Sequence, residues 1–267
     1  MKLKHIFSGM IIAGCAMMLH AAERNVAPLN SSGLKFIQDG RVGQALQLNE
    51  KSRLSYDESV FNAAGGTVEM WIRPAAKAVP GKQNFLISNG TNNPSWFFWG
   101  YDNKAYNFLS RERKDARNFN HYCSMRMAVE FPENQWTHVA LVWCYIGKGE
   151  SLIQLYVNGK SVLDKFDQTL ATASSGPVAV GWNTAGAAAP AFVGDIDELR
   201  ISSMPLTPEE IAADYEAGKN GKSLAVNDST LLYAGFEGNA AGRSCTARPD
   251  LETLSKKGDQ LVEKLIE

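Results

Sequence analysis

The sequence predicts an all-β protein: an antiparallel two-sheet β-sandwich (jelly roll) with a short C-terminal helix after the last core strand. Three observations support this prediction. Many short apolar or alternating stretches are separated by turn residues, strand–helix–strand spacing is absent, and one well-capped helix follows the core strands. The 267 residues are 45% hydrophobic and include 23 glycines, which suits one large, turn-rich domain.

The clearest strand covers residues 65–74. It begins at a Gly-Gly turn and ends at Pro74, which removes a backbone donor from the ladder. Because side chains alternate along a strand, its apolar residues fall on one face, and Glu69, Trp71 and Arg73 fall on the other. We interpret the first face as core and the second as a surface that can meet a ligand.

The other predicted strands show alternation or a short apolar run between turn residues. In chain order they cover residues 34–37, 43–48, 85–88, 96–101, 105–111, 121–130, 136–146, 152–157, 160–162, 177–182, 192–201 and 231–236. Asn158 and Gly159 form a two-residue hairpin signal. Residues 111–120 have charges of both signs, which indicates a solvated loop and argues against an anion site.

Two helices are predicted near the C-terminus. Thr207 suits the N-cap of the first, with Pro208 at its first position and Glu210 at the capping-box position. This helix is predicted to run to about residue 217 and to stop at Gly218. Residues 251–266 show the spacing of a short amphipathic helix.

Residues 1–22 are predicted to be an export signal rather than part of the fold. Two lysines precede an apolar run at residues 6–19, which is too short for an ordinary membrane span. Two processing routes remain open: ordinary cleavage near Ala22, or lipidation of Cys15, which ends an Ile-Ala-Gly-Cys box similar to that of bacterial lipoproteins. Either route predicts export to the bacterial periplasm, outer surface or extracellular space, with no transmembrane span in the mature chain.

The mature chain keeps three cysteines, Cys123, Cys144 and Cys245, and an oxidising destination permits disulfides. Cys123 and Cys144 are equally distant from the centre of the pair Glu133 and Asn134. A hairpin there would place the two sulfurs opposite each other and predicts a disulfide between them. The alternative is two separate buried thiols, on strands that belong to opposite sheets.

Composition also bears on the ligand. The formal net charge of −1 gives no electrostatic footprint for nucleic acid, so neither nucleic acid nor another polyanion is expected to bind. Aromatic residues are more numerous than one core needs, and residues 96–101 are the densest patch. Two interpretations are open, because these rings can fill the core or stack on sugar rings. The candidate ligand-binding residues are Trp71, Trp96, Trp99, Tyr101 and Trp182.

Four stretches have a distinctive order and spacing. They are residues 43–48, residues 67–74, residues 136–140 with 155–160, and residues 194–201 with the helix at 206–211. Together they resemble the laminin-G-like jelly-roll domains of the concanavalin A-like lectin/glucanase superfamily. The resemblance implies one such domain at residues 23–240, followed by a helical tail at residues 241–267. Residues 231–238 either close this sandwich or are the remnant of a second repeat.

The resemblance also bears on catalysis. Glycoside hydrolases of this fold use three carboxylates spaced Glu-x-Asp-x-x-Glu on one strand. The nearest match contains Asp195, Asp197 and Glu198, of which Glu198 falls on the wrong face, and no further carboxylate follows at the required step. His121 and His138 are the only histidines of the mature chain, and no nucleophile elbow surrounds a serine. A glycoside-active enzyme is therefore the weakest of the functional hypotheses, and no enzyme activity is expected.

Related domains often hold a calcium ion at the edge of the sandwich, so the resemblance implies one structural Ca²⁺. Asp197 matches the ligating aspartate near the last strand, and Asp39 with Gly40 matches the first turn, where backbone carbonyls would bind the ion. The functional expectation is a non-catalytic binding module, secreted or surface-attached, that recognises carbohydrate. The alternative is a protein-interaction or structural domain of a cell-surface assembly without a glycan ligand.

Overall fold

The computed structural model describes residues 23–75, 83–90, 95–101, 105–115, 118–129, 131–147, 150–165, 170–173, 175–183, 191–245 and 249–266. The predicted export signal and the alternative lipidation site Cys15 lie outside the described residues. Within them the chain forms two antiparallel sheets that share one core, together with two α-helices, which confirms the predicted β-sandwich.

The described part of the chain contains seventeen strands. They are β1 (Arg24–Val26), β2 (Asn30–Ser32), β3 (Lys35–Ile37), β4 (Ala45–Leu48), β5 (Arg53–Tyr56), β6 (Gly65–Pro74), β7 (Gln83–Asn89), β8 (Ser95–Tyr101), β9 (Ala105–Arg113), β10 (Phe119–Met127), β11 (Thr137–Gly147), β12 (Glu150–Val157), β13 (Lys160–Lys165), β14 (Val178–Val180), β15 (Gly194–Ser202), β16 (Thr230–Ala234) and β17 (Gly242–Ser244). The helices are α1 (Pro208–Lys219) and α2 (Leu251–Ile266), and a 3-10 turn covers Glu58–Val60.

Ten of the described strands form one sheet, called here the ten-stranded sheet. Its order is β1-β17-β16-β15-β6-β11-β12-β13, and β4 and β3 extend it from β15. β6 lies between β15 and β11, with its predicted bounds. The β12–β13 hairpin turns at Asn158 and Gly159, whose φ angles are 50° and 74°, as the hairpin signal predicts.

The other seven described strands form the seven-stranded sheet, in the order β10-β9-β8-β7-β14-β5-β2. The region predicted as a solvated loop at residues 111–120 instead completes β9 and begins β10, which pair directly. Asp115 holds the turn between them, because its carboxylate accepts hydrogen bonds from the backbone N–H (2.9 Å) and side-chain amide (2.8 Å) of Asn118. The loop prediction is therefore corrected to a β-hairpin.

The hydrophobic core lies between the inner faces of the two sheets and includes the apolar face of β6. Its centre is aromatic. Trp96 of β8 contacts Phe61 edge-on at 4.9 Å between ring centroids and Trp143 of β11 at 4.8 Å. Such ring pairs contribute about 1 kcal/mol each beyond the area they bury.

Helix α1 covers part of the outer face of the ten-stranded sheet. It starts with the predicted capping box, in which the Thr207 hydroxyl accepts from the Glu210 N–H (3.2 Å) and the Glu210 carboxylate accepts from the Thr207 N–H (2.7 Å). Ile211 then packs in a cluster with outer-face side chains of β11 and β12. The opposite face of the central strands is therefore covered as well.

Gly218 has a packing role rather than the predicted role of ending α1. The helix continues through it to Lys219 and is capped by Asn220. A Cβ atom at Gly218 would lie 2.8 Å from Cε2 of Trp71, so glycine lets the helix approach the indole closely. Close approach to the sheet, and not a left-handed backbone, explains this glycine.

Helix α2 lies on another part of the same outer face, against β11 and β12. Leu254 packs with Ala64 and Cys144 in a small apolar cluster. Gly258 lies in the middle of the helix, where a Cβ atom would be 3.0 Å from the Cys144 sulfur. The amphipathic helix predicted at residues 251–266 therefore has a defined docking surface.

The C-terminal strands settle how residues 231–238 are used. β16 pairs with β15, so this segment closes the present sandwich and is not a second repeat. β17 then pairs with β16 and with β1. The sheet therefore extends beyond residue 240, into the residues that the sequence assigned to the tail.

Candidate functional site

Trp71 does not belong to an accessible surface. Its side chain is 2% exposed, because α1 covers the outer face of β6. The ring stacks on Tyr215 of α1 at 5.7 Å, and the Arg41 guanidinium lies over it at 4.5 Å. Arg41 also donates hydrogen bonds to the carbonyls of Gly218 (3.0 Å) and Lys219 (2.5 Å). The prediction of Trp71 as a ligand-binding residue is therefore wrong, and this aromatic fastens α1 to the sheet.

Trp96 is also unavailable to a ligand, since it is 1% exposed in the aromatic centre of the core. The alternation of β8 places Trp96 and Phe98 on the inner face, so this ligand-binding prediction is wrong as well. Trp99 and Tyr101 belong to the backbone of β8 and pair with β7 and β9. Their side chains lie outside the described residues, and their role stays a prediction.

Trp182 lies at the outer face of the seven-stranded sheet, directly after β14. Its indole N–H donates to the Leu54 carbonyl (2.8 Å), and its own carbonyl accepts from the Ser88 hydroxyl (3.0 Å). The Arg53 guanidinium lies over the ring at 5.1 Å. Trp182 remains half-buried, so of the predicted aromatics with described side chains it is the one that a ligand can reach.

A second accessible part of this outer face lies on β9 and β10, and we call it the β9–β10 face. Cys123, Met125 and Met127 point into the core, so the alternating residues of β10 point outward. Tyr122 among these is 50% exposed. The β9–β10 face consists of Asn107, Leu109, Tyr122, Ser124 and Arg126.

The sequence analysis did not single out the β9–β10 face. The signal was present in β10, where buried Cys and Met residues alternate with polar ones. In the backbone register Arg126 lies opposite Asn107, and Ser124 lies opposite Leu109. Four strand spacings separate β10, which carries Tyr122, from β14, which precedes Trp182, so the two strands are about 19 Å apart.

The carboxylates of β15 are used inside the fold. The Asp195 carboxylate accepts from the Arg73 guanidinium at 2.8 Å. Glu198 is buried at a bulge with φ of 51°, and accepts from the Tyr233 hydroxyl (2.8 Å). Burial raises the pKa of Glu198, although its hydrogen bonds oppose this. These carboxylates form internal bonds and do not face each other across a groove.

The residues predicted to hold calcium do not fit an oxygen cage. Both carboxylate oxygens of Asp197 accept backbone N–H groups, one from Val42 (2.9 Å) and one from the following residue (2.8 Å). Burial raises the pKa of Asp197 to about 8, although these bonds oppose the shift. The Arg73 guanidinium binds the carboxylate (2.5 Å) and carbonyl (3.1 Å) of Asp39, and the Gly40 N–H donates to a carbonyl at 3.1 Å.

A cation at this place would compete with a guanidinium and with N–H donors, which is the opposite of what Ca²⁺ requires. Among the described residues, no group of three or more His, Cys, Asp or Glu side chains is placed to hold a metal ion. The predicted donor set of Asp39, Gly40 and Asp197 is therefore corrected to an internal hydrogen-bond network.

The predicted disulfide is not formed. Cys123 lies on β10 of the seven-stranded sheet, whereas Cys144 lies on β11 of the ten-stranded sheet, and both are free buried thiols. The segment between them crosses from one sheet to the other, so the symmetric spacing does not produce a hairpin. Burial raises the pKa of each thiol to about 12, which makes both unreactive.

A buried ionic cluster lies beneath α1. The Arg200 guanidinium binds Glu69 (Nε to Oε1, 2.7 Å) and the carboxylate of Asp214. His138 lies 3.4 Å from the other oxygen of Glu69, and both of these side chains are 0% exposed. Burial tends to raise the pKa of Glu69, but Arg200 and His138 outweigh it, so this pKa is lowered. Burial and the neighbouring Glu69 raise the pKa of Asp214 to about 6. The prediction of a structural role for His138 agrees with this position.

A cavity of about 720 Å³ lies away from these residues, between β1 and the 3-10 turn. Its two carboxylates already have internal partners. Asp57 accepts from the Ser59 N–H (2.9 Å), and Glu58 accepts from the Gly176 N–H (2.7 Å). Its volume alone does not make it a better candidate than the outer face of the seven-stranded sheet.

Two stacked antiparallel sheets, with helices on the outer face of one and accessible residues at Trp182 and on β9 and β10 among the described outward positions of the other, form a jelly roll of the lectin-like type. The sequence agrees, because residues 45–212 match the Laminin_G_3 family, described as the concanavalin A-like lectin/glucanases superfamily. The match covers more than half of the chain, so this protein belongs to that family. The predicted resemblance is confirmed.

Solved structures share this fold at low sequence identity. Domain 4 of the extracellular arabinanase AbnA from Geobacillus stearothermophilus, solved in complex with arabinotriose, is 20% identical, with a TM-score of 0.50 over 74% of this chain and 90% of that one. The receptor-binding domain of botulinum neurotoxin type G is 15% identical, with a TM-score of 0.53 over 72% and 46%. Tailspike protein 2 of an Escherichia coli O157:H7 bacteriophage is 11% identical, with a TM-score of 0.54 over 80% and 30%.

At these identities the likeness concerns the fold alone. None of the curated proteins matches this chain. In the part of the chain that the structure describes, neither helix has the length and apolar character needed to cross a bilayer.

Proposed function

We propose that this protein is a non-catalytic carbohydrate-binding module. The observation that supports it most is the outer face of the seven-stranded sheet. Tyr122 and Trp182 lie at its two sides, and the side chains of Asn107, Ser124 and Arg126 lie on the Tyr122 side. Sugar rings present C–H groups that stack on aromatic faces and hydroxyls that bond to polar side chains.

The other faces are less suited to a ligand. Both inner faces form the core, and α1 and α2 lie on the outer face of the ten-stranded sheet. The carboxylates of β15 are bonded internally, which favours binding over bond cleavage. A domain of this fold was solved with arabinotriose, so the fold is compatible with a short chain of sugars.

The test is isothermal titration of the mature protein with arabino-, xylo- and gluco-oligosaccharides. We expect binding that Trp182→Ala weakens by about fivefold, which corresponds to about 1 kcal/mol of lost stacking. Trp136→Ala is the matched control, because Trp136 is also half-buried and also has an arginine over its ring, Arg73 at 4.7 Å. It lies next to β11 of the other sheet and is expected to leave binding unchanged.

Equal losses in the two variants would contradict the proposed face. Absence of binding across a glycan array would reject the carbohydrate proposal and favour the alternative, a protein-interaction domain of a cell-surface assembly. Circular dichroism of each variant establishes that it remains folded.

We propose in addition that the protein is exported, on the strength of the lysine-led apolar run within residues 1–22. Mass spectrometry of the protein from a bacterial host distinguishes the two routes. A mature chain that starts near residue 23 indicates ordinary cleavage, and a lipid on Cys15 indicates anchoring. A full-length chain retained in the cytoplasm would contradict export.

A further inference from the structure

A cavity of about 400 Å³ lies between β2, β3 and the segment that joins β16 to β17, and we call it the edge cavity. Its lining is mostly apolar and includes Leu34, Phe36, Ala240 and Ala241. Leu34 and Phe36 are half-buried and pack against the core. The volume falls within the range of small-molecule sites, roughly 300–1,000 Å³.

Internal hydrogen bonds fix one wall of the edge cavity. The Ala240 carbonyl accepts from the Tyr56 hydroxyl at 2.8 Å, which ties the wall to the core. The Asn239 side-chain carbonyl accepts from the Ala241 N–H at 2.8 Å. Because these bonds are already made, binding there requires little additional ordering of the chain.

The edge cavity is neutral. None of the described residues that line it is Asp, Glu, Lys, Arg or His. Lys35 lies between Leu34 and Phe36 in the sequence, but its ammonium group donates to the Gln47 side chain at 3.0 Å. A charged group in the cavity would lose hydration without gaining an opposite charge. The lining therefore suits a neutral group with an apolar part.

Two polar side chains that line the edge cavity can bond to a ligand. Ser31 is exposed, and its hydroxyl has no hydrogen-bond partner among the described residues. The Asn239 amide nitrogen donates to the Glu237 carbonyl at 3.3 Å. An amide NH₂ group has two donors, so one remains for a ligand. Both side chains suit a ligand oxygen that lies next to an apolar group.

The edge cavity lies close to Trp182. Ser31 is opposite Leu54 in the backbone register of β2 and β5. The Leu54 carbonyl accepts from the Trp182 indole N–H at 2.8 Å. Neighbouring strands are about 5 Å apart, so the cavity begins one strand away from the strand that Trp182 contacts.

We propose that the edge cavity binds a methyl group carried by a neutral sugar, as in an acetamido group or a deoxy sugar, an inference that rests on the proposed carbohydrate-binding function. Leu34 and Phe36 contact the methyl group, and Ser31 and Asn239 bond to the neighbouring oxygen. A sugar with a hydroxyl in place of the methyl group would bury that hydroxyl against apolar walls, which is unfavourable.

The test is isothermal titration of the mature protein with matched glycans. Chitotriose and cellotriose differ in the acetamido group, and methyl fucoside and methyl galactoside of the same configuration differ in the deoxy position. We expect the methyl-bearing member of at least one pair to bind about fourfold more tightly, as for the burial of one methyl-sized group. The preference should be equal at about 50 mM and about 500 mM NaCl, because no charged group takes part.

Four variants locate the effect. Ala241→Leu and Ser31→Val each add bulk to the cavity from an exposed position, so they should remove the preference and leave binding of the unsubstituted member unchanged. Ala213→Leu is the matched control, because Ala213 is exposed on α1, and it should keep the preference. Trp182→Ala should weaken both members of a pair alike. Circular dichroism establishes that each variant remains folded.

Equal or tighter binding of the unsubstituted members would overturn this inference and leave the proposed function in place. A preference that survives both Ala241→Leu and Ser31→Val would also overturn it, because the methyl group would then bind elsewhere. Failure of every glycan to bind would reject both proposals.

Discussion

Arg200→Met removes a cation shared by two carboxylates beneath α1. The guanidinium is 2% exposed, binds Glu69 and Asp214, and donates to the Ala225 carbonyl at 2.8 Å. Methionine preserves much of the apolar stem, so the change is mainly electrostatic. Glu69, which is 0% exposed, would keep the imidazole of His138 at 3.4 Å but would lose the guanidinium that it binds.

We expect a loss of about 3–5 kcal/mol in the free energy of unfolding at neutral pH, the usual cost of leaving a buried charge without its partner. The loss should shrink as the pH falls, because protonation of Glu69 and Asp214 removes the uncompensated charge. With Arg200 present, the pKa of Asp214 is already raised to about 6. Without the cation the pKa values of both carboxyl groups rise.

The assay is urea denaturation followed by tryptophan fluorescence, applied to Arg200→Met, Glu69→Gln and the double variant. The double variant should recover about 2 kcal/mol relative to the sum of the single changes, since the two groups are in contact. Arg243→Met is the control, because Arg243 pairs with Glu23 at 3.0 Å where both side chains are about half exposed. That exposed pair should contribute less than about 1 kcal/mol.

A loss below about 1 kcal/mol for Arg200→Met, or strict additivity with Glu69→Gln, would refute this reasoning. Either result would mean that water or a rearranged side chain compensates Glu69, and that α1 does not seal the cluster.

Four further predictions follow from the packing. Because the pKa of Asp197 is raised from 3.8 to about 8, its contribution to the free energy of unfolding is lost as the pH rises from about 4 to about 8. Urea denaturation of Asp197→Asn at several pH values should show a smaller decrease in this free energy over that range. A decrease equal to that of the unmodified protein would contradict the pKa shift. The side chain added by Gly258→Val should overlap with Ile146 and Cys144 and detach α2 from the sheet. Amide hydrogen exchange in residues 251–266 should then be faster. Unchanged exchange rates would contradict the close packing. Ellman's reagent should label Cys123 and Cys144 once the protein is denatured, without any need for a reductant, and should not label them in the folded protein. Additional labelling after reduction would support the predicted disulfide instead. Excess calcium should leave the melting temperature unchanged, and a rise of several degrees would support the predicted calcium site instead.

Local sequence pattern was sufficient for the fold class and for several element boundaries. The alternation in residues 65–74 gave β6 and its core face, and Thr207 with Glu210 gave the start of α1. Asn158 and Gly159 gave the β12–β13 turn. These features depend on neighbours a few residues apart, so they can be read from the chain directly.

The candidate site could be predicted only in part. Trp182 is half-buried, and its role in ligand binding stays a prediction, whereas Trp71 and Trp96 are buried and cannot meet a ligand. Alternation shows that a strand has two faces, but it does not show which face a distant helix will cover. Trp71 is covered by α1 (residues 208–219), which lies more than a hundred positions away in the sequence.

The sequence by itself therefore determined a two-sheet sandwich with a capped C-terminal helix. Only the tertiary structure decided that Cys123 and Cys144 lie in different sheets, and that α1 and α2 cover part of the ten-stranded sheet. The physical reason is range: alternation and capping are local, whereas strand pairing and helix docking join residues far apart in the chain.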